Sequence, residues 1–378
     1  MQEFGCAVMW GSGRAMQEQI LALSKEVSDL ATMKVSEIQN VMRTTKILAL
    51  NALIEAGRAG EYGKGFAVVA HEVSNISQRI SDIASALNDS MADRIDALNE
   101  VGHQLIASQR CARATDLALN MIEIIDRNLY ERSCDVRWWA TDSAMVAAAC
   151  DPTPKNCSFA SKRLGVILDS YTVYLDLWVL DRQGNIIANG RPNRYPGLIG
   201  QNYANAPWFG QALSTRDGTD FSVADISREG RLGNQSVATY ATAIRADGAT
   251  DGAAQGVLAI FFDWENQSQA VVDQVRLTDE EKPRTRCLLI DAQHRIIAAS
   301  KGSGYTLGDR YRLDIKRGEE QGAFVKADGT IVGYSLTPGY ETYQGLGWYG
   351  VIEQASVIPQ AHANANNHSP VWMPHAAQ

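Results

Sequence analysis

Three glycines, Gly60, Gly63 and Gly65, fall within six residues and separate two apolar helical runs. Upstream, Leu48, Leu50, Ala52, Leu53, Ile54 and Ala56 favour a helix, and downstream Phe66, Val68 and Val69 resume an apolar helical face. Glycines at this density permit the positive-φ geometry that reverses a helix. The stretch therefore predicts a helix, a tight reversal and a second helix.

Apolar or small residues recur at gaps of three and four through Ile20, Leu23, Val27, Leu30, Lys34, Ile38, Val41, Thr45, Leu48 and Ala52, with Lys34 as an interruption. The returning arm continues through Val69, Val73, Ile76, Ile80, Ile83, Leu87, Met91, Ile95 and Leu98. Each arm spans about 40 residues, on the order of 60 Å of helix. An amphipathic hairpin cannot bury such a stripe alone, so a dimer or larger assembly is expected through residues 12–100. The first dozen or so residues have no periodic pattern and read as frayed.

The run from Leu48 to Val73, LALNALIEAGRAGEYGKGFAVVAHEV, resembles the signalling tip of the methyl-accepting chemotaxis proteins, the bacterial chemoreceptors. The resemblance implies the hairpin end of a dimeric four-helix coiled coil. In that family dimers join in trimers and contact a chemotaxis histidine kinase and its coupling adaptor. Carried over by position, Asn51, Glu55, Arg58, Phe66, Val68 and Val69 would make trimer and kinase contacts, and Gly60, Glu61, Gly63 and Gly65 would form the turn. Two departures stand out. Thr44, Thr45 and Lys46 replace the family's Gln-Thr-Asn, and Leu53 and Gly57 stand where a small Ala is usual. No methylation site is assigned, because the residues flanking Gln17, Glu18 and Gln19 do not fit one.

The 378-residue chain, 45% hydrophobic, has room for two or three domains, and a net charge of −8 argues against general nucleic-acid binding. No basic start precedes a long apolar run, and runs such as Val257 to Phe262 are strand-sized, so a cytoplasmic location is expected. In a reducing compartment the six cysteines, Cys150 and Cys157 included, read as free thiols. Cysteine, histidine and carboxylate spacings suggest no metal site, and no cofactor is expected.

From about 97 to 149 the pattern stays helical, as one long connecting helix, with Arg132, Arg137, Trp138 and Trp139 expected to pack against a sheet. After Pro152 and Pro154 it changes to short strands. The segment 177–190 (LWVLDRQGNIIANG) recurs as 287–300 (CLLIDAQHRIIAAS), so that Asp181 matches Asp291 and Gln183 matches Gln293. An internal repeat of this length implies two modules of one fold. Strands are expected at 219–226, 236–245 and 255–263, and again at 321–326, 330–336 and 347–354.

A long helix followed by two such modules resembles the double-Cache sensor, a relative of the PAS fold common in chemoreceptors. The fold class expected is α+β: an antiparallel helical hairpin over 12–100, a connecting helix over 101–150, Cache modules over 151–270 and 271–357, and a disordered tail over 358–378. Most chemoreceptors place the sensor before the hairpin, whereas here it follows.

Cache sensors bind small molecules in the membrane-distal module. The matching residues are Tyr203, Trp208, Phe209, Asp225, Tyr240 and Asp263. Aromatic walls with two carboxylates suit a ligand ammonium group. The same residues also fit an ordinary core in which the aspartates cap turns. Amino-acid-binding members carry an arginine two positions before the tryptophan; Ala206 stands there, so recognition of a ligand carboxylate is not implied.

The expected function is a chemoreceptor-like signal transducer, with an array-associated scaffold or decoy lacking ligand control as the alternative. An enzyme is not expected, since no nucleophile elbow, phosphate loop or zinc motif is present.

Overall fold

The computed structural model describes residues 6–315 and 318–356, and the tail expected over 358–378 lies outside them. The chain divides into two compact units, Met1–Arg110 and Cys111–Gln378.

The first unit is a helical hairpin. Helix α1 (Cys6–Arg58) leads through a one-turn 3-10 segment (Gly60–Gly63) into helix α2 (Lys64–Trp139). Helix already begins at Cys6, where the sequence pattern suggests fraying. The arms close through small residues. Val35, Ala49 and Ala56 on α1 and Ala70, Ser77 and Ala84 on α2 are buried, as is Gly63, and they recur at multiples of seven. Lys46 Nζ also donates across the arms to Gln78 Oε1 at 2.7 Å.

The large apolar stripe read from the sequence does not close the hairpin in the single chain. Leu23, Val27, Leu30, Ile38, Val41 and Leu48 are exposed, as are Val69, Val73, Ile76, Ile80, Ile83, Leu87 and Leu98. Of the expected seam residues whose burial is described, only Thr45, Met91 and Ile95 are even half-buried. The buried and exposed stripes are offset by one residue, as at Leu48/Ala49 and Val69/Ala70, which is about 100° around a helix. Small residues win the inner position because they let two helix backbones approach closely. The large apolar stripe is left facing outward.

In the second unit α2 continues to Trp139, and the expected unbroken helix divides there. Asp142 caps the next helix, α3 (Ser143–Cys150), by accepting from Ala144 N at 2.9 Å. Helix α4 (Pro154–Ser170) follows where the composition suggests strands, with Thr153 as its N-cap and Pro154 in its first turn. Cys150 and Cys157, on these two helices, form no disulfide.

Two five-stranded antiparallel sheets come next. The first comprises β1 (Tyr174–Asp181), β2 (Ile186–Asn189), β3 (Ser222–Glu229), β4 (Gln235–Arg245) and β5 (Ala254–Asp263). The second comprises β6 (Thr285–Ile290), β7 (Ile296–Ala299), β8 (Gln321–Val325), β9 (Ile331–Leu336) and β10 (Tyr349–Gln354). Their orders, β2-β1-β5-β4-β3 and β7-β6-β10-β9-β8, are the same topology twice. Asp181 and Asp291 hold equivalent hairpin turns, each accepting from the backbone N–H groups two and four residues on. Helix α5 (Pro207–Leu213) and helix α6 (Trp264–Asp273) complete the fold, which is α+β.

One face of each sheet packs on the helices. Ala114, Ala118, Met121, Ile122, Ile125, Leu129 and Val136 of α2 are buried in that shared core. Contact with the second sheet is backbone to backbone: a Cβ on Gly350 would lie 2.3 Å from the Ala118 carbonyl oxygen, and one on Gly333 would lie 2.4 Å from the Ala114 carbonyl carbon. Polar contacts fix the helix further. Asp126 accepts from Thr337 Oγ1 at 2.5 Å and from Gly339 N at 2.9 Å. Arg132, buried over the rings of Tyr174 and Phe262, meets Asp135, which also accepts from the Tyr174 hydroxyl at 2.5 Å. Trp139 is buried as expected, whereas Trp138 is 68% exposed on the side of α2 away from the sheet.

Replacing Gly350 by Ala should destabilise the second unit by about 1–3 kcal/mol, because backbone atoms must separate to admit the methyl group. Urea unfolding measures this, and an unchanged midpoint would contradict the close approach. A second prediction concerns Glu281, which accepts from Arg113 at 2.6 and 2.9 Å. Burial pushes its carboxyl up, but bonds from Arg113 and Thr278 N outweigh burial and hold it at about 2. Its stabilisation is full above the unfolded carboxyl value of about 4.3 and is lost as pH falls toward the folded value. Glu281→Gln should therefore flatten the stability–pH curve across that window, as read by unfolding at a series of acidic pH values.

Candidate functional site

The hairpin tip presents the first candidate surface. Gly60 takes a φ of +59°, and a Cβ on Gly63 would lie 2.0 Å from the Ala56 carbonyl oxygen, so one glycine serves the turn and the other the close approach. Gly65 does neither. It sits in the first turn of α2 with open space around it, which corrects its assignment to the turn. Glu61 lies in the 3-10 segment and pairs with Lys64 at 2.6 Å.

Asn51, Glu55 and Arg58 lie on one exposed face of α1, with Arg58 Nη1 donating to Glu55 Oε1 at 2.7 Å. On the other arm Phe66, Val68 and Val69 are 75%, 70% and 60% exposed. Tyr62, which the sequence reading passes over, is 99% exposed between the turn glycines. Apolar side chains this open around a polar face form an exposed patch and not a core.

The second candidate lies on the first sheet's face away from α2. Tyr203, Trp208 and Phe209 converge there with Trp178 and Phe261. Ring centroids are 5.1 Å apart for Trp178 and Tyr203, 5.9 Å for Tyr203 and Trp208, and 6.1 Å for Trp208 and Phe261. Pro207 starts α5 and so sets Trp208 and Phe209 down on the strands. The Tyr203 hydroxyl donates to Glu229 Oε1 at 2.8 Å.

Of the other three expected ligand residues, Tyr240 and Asp225 do not join the rings, and Asp263 stands beside them as a helix cap. Tyr240 points to the opposite face, fully buried, stacked on Phe221 and bonded to the Tyr343 hydroxyl at 3.3 Å. Strand alternation decides this, since Tyr240 stands an odd number of positions from Val237 and Ala241, which face the aromatic cluster. Asp225 is exposed and 3.7 Å from Arg295. Asp263 is the N-cap of α6, accepting from Asn266 Nδ2 at 2.7 Å.

Two further residues belong to the aromatic face. Asp176 is fully buried yet accepts from Leu177 N, Trp178 Nε1, Asn189 Nδ2, Gly190 N and Arg191 N, all at 2.9–3.0 Å. Burial raises its carboxyl above the ordinary value, against the pull of those bonds. The Tyr195 hydroxyl is buried with no hydrogen-bond partner among the described residues. Burial raises it most, and Asp176 and Asp263 add to the rise while Arg194 and Arg191 oppose it. An aspartate inside the apolar run Leu175-Asp-Leu-Trp178 is the sequence signal for the first; nothing local marks the second.

Residues 12–136 match the model of the methyl-accepting chemotaxis protein signalling domain. Over 85 residues the chain is 41% identical to methyl-accepting chemotaxis protein I of Escherichia coli K12, covering 22% of this chain and 14% of that protein. Over 70 residues it is 49% identical to the probable chemoreceptor y4sI of Sinorhizobium fredii, covering 18% and 9%. Over 144 residues it is 33% identical to the methyl-accepting chemotaxis protein NahY of Pseudomonas putida, covering 35% and 26%. The chain thus spans about a quarter or less of the length of these curated relatives.

Among solved structures it is similar to the sensor domain of the Vibrio cholerae histidine kinase DctB, at 14% identity and a TM-score of 0.47, covering 68% of this chain and 99% of that one. It is also similar to the ligand-binding domain of the Campylobacter jejuni chemoreceptor Tlp3, at 17% identity and 0.47, covering 66% and 92%.

Truncating Trp208 to Ala should cost about 3–5 kcal/mol of stability, because its indole is packed against Tyr203, Phe209 and Phe261. A loss below about 1 kcal/mol in urea unfolding would contradict that packing.

Proposed function

We propose that the chain is a chemoreceptor-type signal transducer, in which the second unit senses a small molecule and the hairpin tip engages a chemotaxis histidine kinase and its coupling adaptor. The observation that carries this reading is the match over residues 12–136, whose tip positions lie open to solvent. The outward apolar stripe on both arms supports a homodimer, since a second copy bearing the same stripe would cover it. Asn51, Glu55, Arg58, Phe66, Val68 and Val69 would then make the contacts between dimers and with the kinase and adaptor. The reading includes a cytoplasmic place beside receptor arrays, where those partners act. Among the described residues no helix is long and apolar enough to cross a membrane.

The sensing site we propose is the aromatic face of the first sheet, with Tyr203, Trp208 and Phe209 as walls, the Tyr195 hydroxyl as a donor and Asp263 at the edge. An amine-bearing small molecule suits aromatic walls beside a carboxylate. Binding there would favour one of two arrangements of α2, which is buried against the same sheet from its other face.

Reconstituted arrays of kinase, adaptor and the full chain test the reading. Kinase activity should change roughly fivefold or more on adding the chain, and Phe66→Ala or Glu55→Ala should reduce that change. A kinase indifferent to the chain would overturn the proposal. Control that persists through a panel of amine metabolites without response would leave a scaffold and remove the sensing half.

A further inference from the structure

A cavity lies in the second unit at the last turn of α2, away from the aromatic face. Its volume is about 40 Å³, open to solvent on one side, and its walls include Arg137, Thr141, Gly218, Arg245, Gly248 and Thr250. None of Tyr195, Tyr203, Trp208 or Asp263 lines it. The β4–β5 turn forms one side, where Asp247 and Gly248 both take positive φ and Gly248 packs against the Thr141 backbone.

Both arginines there are held by neutral groups. Arg245 is only 7% exposed. Its Nη1 donates to Gly252 O at 2.9 Å and its Nη2 to the Thr215 carbonyl and hydroxyl, while Nε is buried with no partner among the described residues. Arg137 donates from Nε to Ser133 O at 2.7 Å and from Nη1 to Thr219 O at 3.3 Å, with its guanidinium over the Phe221 ring. Neither forms an ion pair among the described residues. Of the nearby carboxylates, Asp217 and Asp220 pair with Arg216 and Asp142 with Arg163, while Asp247 of the β4–β5 turn pairs with neither arginine among the described residues. A buried cation without a counter-charge is costly, and Arg245 shares this lining with a second, half-buried arginine.

We infer that this cavity binds a small oxyanion bridging Arg137 and Arg245. Guanidinium groups present planar donor forks that match paired oxygens, and Arg245 Nε is a donor that no described residue uses. The space suits an ion of the size of inorganic phosphate or a short carboxylate and excludes a nucleotide. Because Arg137 belongs to α2 and Arg245 to the end of β4, the bound ion ties the helix terminus to the β4–β5 turn. It is a second input to α2, independent of the proposed sensing site.

Calorimetric titration of the full chain with sodium phosphate and, separately, sodium acetate at fixed ionic strength tests this, with sodium chloride as control. One ion per chain should bind saturably and raise the melting temperature, and comparing the two arms assigns phosphate or carboxylate. Arg137→Gln and Arg245→Lys should each weaken binding roughly tenfold or more and abolish the thermal shift. Arg137→Gln is half-buried and bonds mainly within its own helix, so it should fold and decides the matter even if Arg245→Lys does not. Absence of saturable binding of either ion, or binding that the folded Arg137→Gln variant retains in full, would overturn the inference.

Discussion

The second unit depends on one steric fact: helix α2 lies so close to the second sheet that only glycine fits beneath it. Ala114 and Ala118 on the helix meet Gly333 and Gly350 on the strands, leaving no room for a β-carbon. This approach brings the apolar face of α2, from Met121 to Val136, into a core shared by both sheets. Side-chain packing alone would allow the helix to slide; contacts between backbones do not. Asp126, Arg132 and Asp135 then fix its position with polar contacts that must be fully made once buried. A helix gripped this way can move only by exchanging one set of contacts for another.

The hairpin solves a related problem by dividing its apolar residues. Alanine, serine and glycine, with Val35, close the two arms on each other, while most of the valine, isoleucine and leucine one position away stays outside. If the large residues closed the hairpin, its backbones would stand further apart and Gly63 could not sit against the Ala56 carbonyl. The tight turn and the outward stripe are thus consequences of one choice of side-chain size.

Charge burial separates the two candidate ligand regions of the first module. Asp176 is surrounded by five donors and needs nothing more, whereas the Tyr195 hydroxyl and Arg245 Nε are buried without partners among the described residues. Satisfied groups hold the architecture, and unsatisfied ones point to where a further molecule would lower the energy. The aromatic face and the arginine cavity differ accordingly, one walled by rings beside carboxylates and the other by cations.

Much of this was legible in the sequence because it is local. The hairpin tip follows from a continuous run of residues, and the duplicated module follows from two segments repeating Asp, Gln and Ile-Ile-Ala at matching positions, which fold into sheets of identical strand order. Strand positions could be read because strands alternate with marked turns. What sequence could not supply was the choice between neighbouring stripes and between faces. Leu48 and Ala49 both belong to plausible helical stripes, and only the distance between two helix backbones decides which goes inside. Tyr240 and Trp208 both suit a pocket, yet strand alternation and the docking of α5 send them to opposite faces of one sheet. Arg137 and Arg245, more than a hundred residues apart, share a cavity only because α2 ends beside the β4–β5 turn. Periodicity and turn chemistry act over a few residues and can be read along the chain; packing distance and the meeting of remote side chains exist only once the chain has folded.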